Sequence, residues 1–199
     1  FQISFTWTAC CVATASYRGC AMTELSTRQP GESLHGLLVA RAARWLRNTV
    51  GCNPVFAELT TSISEIPDAI GWKYGHLSVL VECKASRSDF LADRKKFSRR
   101  APDYGIGDRR YYMTPPGLVT AEEVPDGWGL LYATSRCVEV VRFSCIQGEV
   151  RKYKTEWWFG VSPFKSNKSH EMKMLVSALR RCGLRWDLSE IQRPLSKPL

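Results

Sequence analysis

The stretch from residue 66 to 84, IPDAIGWKYGHLSVLVECK, constrains the fold of this 199-residue chain more than any other. Two apolar runs, 68–73 and 77–83, flank Tyr74-Gly75-His76, a polar connection of the kind that joins paired strands. Successive side chains of a strand point to opposite faces, so Glu82 and Lys84 point together while Cys83 points away. Asp68, on the preceding strand, then meets Glu82 across the hairpin. Three ionisable groups are thereby expected at one end of an otherwise apolar strand pair.

That set of side chains suits phosphodiester hydrolysis. The reaction needs charge stabilisation on the phosphoryl oxygens and a nucleophile stronger than bulk water, and a divalent ion held by oxygen ligands supplies both. Two carboxylates, Asp68 and Glu82, completed by backbone carbonyls and water, suit Mg²⁺ or Mn²⁺. Lys84 beside them is expected to position the attacking water or to take a proton from it. Glu58, on the strand next to Asp68, reads either as a third acid or as an edge glutamate facing water. The plainer reading of Glu82 and Lys84 is an exposed ion pair. Such a pair contributes only about 0–1 kcal/mol and gives no reason for so apolar a strand.

Pro67-Asp68 followed by Glu82-Cys83-Lys84 resembles the signature of the PD-(D/E)XK nuclease superfamily. The segments ECKASRSDFLADRKKF, RRYYMTPPGLV and GWGLLYA resemble its MmcB-like DNA-repair branch and related phage and bacterial proteins. The likeness runs over about residues 34–141, with a weaker echo at 171–181. It implies an α/β fold with a restriction-endonuclease-like mixed sheet core in the order αβββαβ. It also implies catalytic Asp68, Glu82 and Lys84, a Mg²⁺ or Mn²⁺ cofactor held by Asp68, Glu82 and the Cys83 carbonyl, and a DNA substrate. The superfamily often adds an acid from its first helix, but residues 34–49 contain none and Glu32 lies just before the helix. The third ligand is therefore open, and a one-metal site follows if Glu32 and Glu58 are both remote.

Charge agrees with a polyanionic partner. Lysine and arginine number 28 against 19 acids, a formal charge of +9, which favours nucleic acid through counterion release without implying sequence preference. Arg87, Arg94, Lys95, Arg99 and Arg100 follow the Glu-x-Lys strand and are candidates for phosphate contacts, the alternative being a solvated helix face. One of Tyr111 and Tyr112 is a candidate for base stacking, the other for the core. His35, His76 and His170 share no ligand spacing and read as structural or surface residues.

The eight cysteines form neither Cys-x-x-Cys pairs nor a zinc spacing, which points to reduced thiols and a cytoplasmic protein. No apolar run is long enough to cross a membrane, and a homodimer is compatible with the sequence.

A single domain over 22–190 is expected. Residues 1–21, with one charge and three cysteines, read as an upstream extension, and 191–199 as a flexible tail. Ser33 caps a helix over 34–48, strands follow at 55–59, 68–73 and 77–83, and Ser88 caps a helix over 89–100. Because a helix joins them, strands 77–83 and 109–114 should run parallel. A strand pair at 128–133 and 137–143 extends the sheet, residues 147–155 form a loop, and a helix at 170–182 stops at Gly183.

Overall fold

In the computed structural model, which describes residues 33–61, 65–145 and 161–182, six strands lie in one sheet in chain order. They are β1 (Val55–Ala57), β2 (Ala69–Lys73), β3 (Leu77–Cys83), β4 (Arg109–Thr114), β5 (Gly129–Ala133) and β6 (Val138–Arg142). The first three form an antiparallel meander, β3, β4 and β5 run parallel, and β6 returns antiparallel to β5. The expected mixed sheet, its parallel β3–β4 step and the added strand pair are all present. No helix among the described residues is long and apolar enough to cross a membrane.

Alternation along the strands builds two cores. Val79, Val81, Cys83, Tyr111 and Met113 pack with Leu38, Ala42 and Trp45 of α1 (Leu34–Trp45) on one face. Leu80, Tyr112 and Leu130 pack on the other with Phe90 of α2 (Arg87–Asp93) and Met174 of α4 (Lys168–Arg181). Glu82 pairs in register with Tyr112, so the Glu-x-Lys side chains belong to the α2 face.

Local chemistry sets the helix ends. Ser33 Oγ accepts the Gly36 N–H at 3.1 Å and starts α1 as expected. The helix ends earlier than Asn48: a wider turn, Leu46–Val50, follows and closes at Gly51, whose φ of 78° suits a residue without a Cβ. Strand β1 stops at Ala57, because Glu58 turns to a φ of 49°. In α4 the inward stripe is Glu171, Met174 and Ala178, whereas the apolar Met172 and Val176 are exposed. The buried acid is accommodated because Ser78, Trp72 and the Gly107 amide all donate to it.

The helix expected at 89–100 is two pieces. Ser86, not Ser88, is the cap, its Oγ accepting the Asp89 N–H at 3.2 Å. Helix α2 ends at Asp93, Lys96 is extended (φ −60°, ψ 143°), and the short α3 (Phe97–Arg100) follows. The break falls where Lys96 and Arg99 turn in to the buried Asp93 and Glu82 carboxylates. Phe97, between Lys96 and Arg99 in sequence, is left in solvent. The expected extension 1–21, loop 147–155, stop at Gly183 and tail 191–199 lie outside the described residues.

Candidate active site

Asp68 and Glu82 come together by register. Ala69 pairs with Val81, and one step further along the same antiparallel pair Asp68 stands opposite Glu82, just beyond the end of β2. The Cys83 amide donates to Asp68 Oδ2 at 2.6 Å, fixing this carboxylate against the third strand. Both acids therefore lie at the carboxyl ends of the parallel strands, where α/β sheets leave room for ligands.

Glu82 is buried, its side chain 2% exposed, and its two oxygens differ sharply. Oε2 faces three cations: Arg99 at 3.3 Å, Lys84 at 3.4 Å and Lys96 at 3.5 Å. Oε1 is buried with no hydrogen-bond partner among the described residues. A buried carboxylate oxygen left unsatisfied costs free energy that a bound ligand can recover. Burial pushes the Glu82 carboxyl above the usual range, and the Asp68 charge adds to the rise against the pull of Arg99 and Lys84. Burial likewise raises Asp68, against the Cys83 amide and the charges of Lys84 and His35.

Lys84 shares the Glu82 face, as alternation requires, but its nearer partner is Asp93 Oδ1 at 3.0 Å. Asp93 also takes Lys96 at 2.9 Å, Arg99 Nε at 2.6 Å and the Tyr112 hydroxyl at 2.7 Å. Burial opposes ionisation of Asp93, yet the Arg99 hydrogen bond and the surrounding positive charges hold its carboxyl well below the usual range. Asp93 is one of the residues the sequence reading missed. Its only signal was its place one helical turn after Phe90, on the face that packs against the sheet.

The remaining candidates fall into distinct places. Glu58 is beside Asp68, its amide donating to the Asp68 carbonyl at 3.1 Å, while its carboxylate is largely exposed. His35, read from sequence as structural or surface, stands on α1 with Nε2 at 3.6 Å from Asp68 Oδ1 and 3.7 Å from Glu58 Oε1. It is a first-helix residue beside Asp68, on a helix that carries no acid. The Cys83 side chain points away into the α1 core, as alternation predicts.

Of the five basic candidates, Arg99 is inside: its side chain is 5% exposed, it binds Asp93, Glu65 and Glu82, and it lies over the Trp128 ring at 4.6 Å. Arg99 thus holds the carboxylate cluster together and does not form part of an outer phosphate-binding surface. Arg87 is exposed but paired with Glu123, and Arg94 donates to the Glu123 carbonyl at 2.8 Å. Lys95 and Arg100 are exposed with no side-chain partner among the described residues. Neither Tyr111 nor Tyr112 can stack on a base, since both are fully buried. Tyr112 instead stacks on Trp128 at 4.4 Å, and Tyr111 meets Trp45 edge-on at 5.4 Å.

Two features of the donor set suit a hard divalent cation: a Glu82 Oε1 unpartnered among the described residues, and an Asp68 whose Oδ1 faces the His35 ring while Cys83 takes Oδ2. Among the described residues no three His, Cys, Asp or Glu side chains gather into a cation cage. A cation here would complete its shell from water and backbone carbonyls, as Mg²⁺ prefers.

No family model matches the chain, and no curated protein does. Among solved structures it is similar to the SPO1766 protein of unknown function from Silicibacter pomeroyi, at 24% identity and a TM-score of 0.50 over 80% of this chain and 94% of that one. The likeness extends to the fold alone: a mixed six-stranded sheet flanked by helices.

Proposed function

We propose that the protein is a metal-dependent DNA nuclease of the PD-(D/E)XK type, with a restriction-endonuclease-like core and acting in the cytoplasm. The observation that carries this reading is the Glu82 carboxylate, buried beside Lys84 and opposite Asp68, with one oxygen left unpartnered. Asp68 and Glu82 would hold Mg²⁺ or Mn²⁺, with the Cys83 carbonyl as a further donor and Glu58 nearby. The ion when bound supplies Lewis-acid polarisation of the phosphate and a more acidic water.

The chain's own residues do the rest. Lys84, held by Asp93, keeps positive charge beside the carboxylates, where it can orient the attacking water and stabilise charge developing on the phosphoryl oxygens. Asp93 and Arg99 fix the cluster so that little reorganisation is needed when substrate arrives. Lys95 and Arg100 offer phosphate contacts outside the cluster.

A second reading is a nucleic-acid-binding adaptor with weak or no chemistry. It is favoured by one observation, that Glu82 Oε2 is already faced by three cations. A cleavage panel of plasmid, linear, branched and single-stranded DNA decides between them, run with Mg²⁺, Mn²⁺ or chelator beside Lys84→Ala. The nuclease reading expects cutting that chelator abolishes and that Lys84→Ala slows by about 10²- to 10³-fold. Salt-dependent binding without cleavage on any substrate would establish the adaptor instead.

A further inference from the structure

Residues 94–100 face two ways. Lys96 and Arg99 turn in to the Glu82 and Asp93 carboxylates, while Phe97, between them in sequence, is 63% exposed. Tyr104, the last residue of the turn Pro102–Tyr104, is 62% exposed. The two rings lie against each other, centroids 5.6 Å apart and tilted by 57°, and neither enters either core.

Cations flank this pair. Lys95 precedes it, and Arg100 stands one helical turn beyond Phe97; both are exposed and engage no side chain among the described residues. Lys96 is half exposed, and the neighbouring Asp103 is the exposed acid within the segment. Two aromatic faces in solvent between unpaired cations form the combination that binds single-stranded nucleic acid, with rings for base faces and cations for phosphates. A duplex keeps its base faces stacked internally, so only an unpaired segment can use such rings. A second copy of this basic surface would bring like charges together, which disfavours self-association there.

We propose that Phe97 and Tyr104 form a stacking platform for unpaired bases of a DNA strand whose backbone is held by Lys95 and Arg100. The platform leads that strand to Asp68, Glu82 and Lys84, because the same segment carries Lys96 and Arg99 into contact with Glu82. This assignment names the substrate class of the proposed nuclease and rests on that reading for the place of cleavage. Binding itself needs no hydrolysis.

The test is fluorescence anisotropy with the full chain, in chelator, using a short labelled oligothymidine and a duplex of the same length. The parent should prefer the single strand. Phe97→Ala and Tyr104→Ala should each weaken that binding by about 5- to 100-fold, the range for loss of one stacked base, while duplex binding holds. Phe97→Trp should retain it, and Lys95→Ala should weaken both forms with a shallower salt dependence. Equal losses on both DNAs, no loss at all, or a dimer in sedimentation that Phe97→Ala converts to monomer would each overturn the platform. Chelator separates the two readings. If the nuclease reading fails, the single-strand preference survives; if the platform fails, Lys84-dependent cleavage survives.

Discussion

Asp93 Oδ1 lies 3.0 Å from Lys84 Nζ, closer than the 3.4 Å from that nitrogen to Glu82 Oε2. The lysine of the Glu-x-Lys pair is thus anchored by the helix that follows its strand. Because Asp93 also binds Arg99, Lys96 and Tyr112, replacing it strands buried cations, and Asp93→Asn should cost about 3–5 kcal/mol. Its carboxyl is held below the ordinary range, so its stabilisation is complete above the unfolded value of about 3.9 and fades as pH falls further. Urea midpoints of parent and variant should converge below about pH 4. A gap that persists in acid would show that Asp93 does not act through its charge.

Asp68 should behave in the opposite sense. Burial raises its carboxyl, so ionising it is a burden on the fold that is relieved as pH falls through the raised value. Asp68→Asn keeps an oxygen for the Cys83 amide and should raise the Tm at pH 7 in chelator, by about 2–4 °C per kcal/mol relieved. The gain should disappear toward pH 4. Cleavage should fall by at least about a hundredfold in the same variant. A lower Tm at pH 7 would mean that the charge is not strained by burial.

Divalent metal should stabilise the parent without substrate. At a concentration of about 100 times Kd, Mn²⁺ would add about 2.7 kcal/mol, a shift on the order of 5–10 °C for a chain of this size. Glu82→Gln should abolish the shift, since it removes the carboxylate whose Oε1 is unpartnered. An equal shift in parent and variant would place the ion elsewhere.

A stability change remote from the candidate site provides the control. Glu171 receives the Trp72 indole at 3.1 Å, the Ser78 hydroxyl at 2.6 Å and the Gly107 amide at 3.0 Å, all at the opposite end of β2 and β3 from Asp68 and Glu82. Glu171→Ala leaves the Trp72 indole and the Gly107 amide unpaired, the Ser78 hydroxyl keeping Asp108, and should cost about 3 kcal/mol or more, judged by urea unfolding. Cleavage per folded molecule should be unchanged, and a loss matching that of Lys84→Ala would tie this network to the chemistry.

The hairpin was readable in the sequence because period-two alternation is local: Leu77–Cys83 alone placed Glu82 with Lys84 and against Cys83. Strand bounds at β3 and β4 were equally local, being set by Gly75 on one side and by Pro115 on the other. The partners of Lys84 were not readable. Asp93 and Arg99 look like an ordinary charged helix, and only tertiary packing turns them inward and expels Phe97. The two tyrosines misled for a related reason: a strand central in the sheet is covered on both faces, so alternation could not leave either ring outside. His35 was missed because its spacing to Asp68 exists only after α1 docks across the sheet.

Cys83, set between Glu82 and Lys84 but turned into the α1 core, has a thiol that burial holds far above its ordinary value. Cys52 is similarly silent, its thiol pushed up to about 12, whereas Cys137 and Cys182 are exposed. Maleimide should therefore modify the exposed pair at once and reach Cys83 only when β3 separates from α1. The rate of that slow labelling is a built-in clock for opening of the strand that carries Glu82 and Lys84.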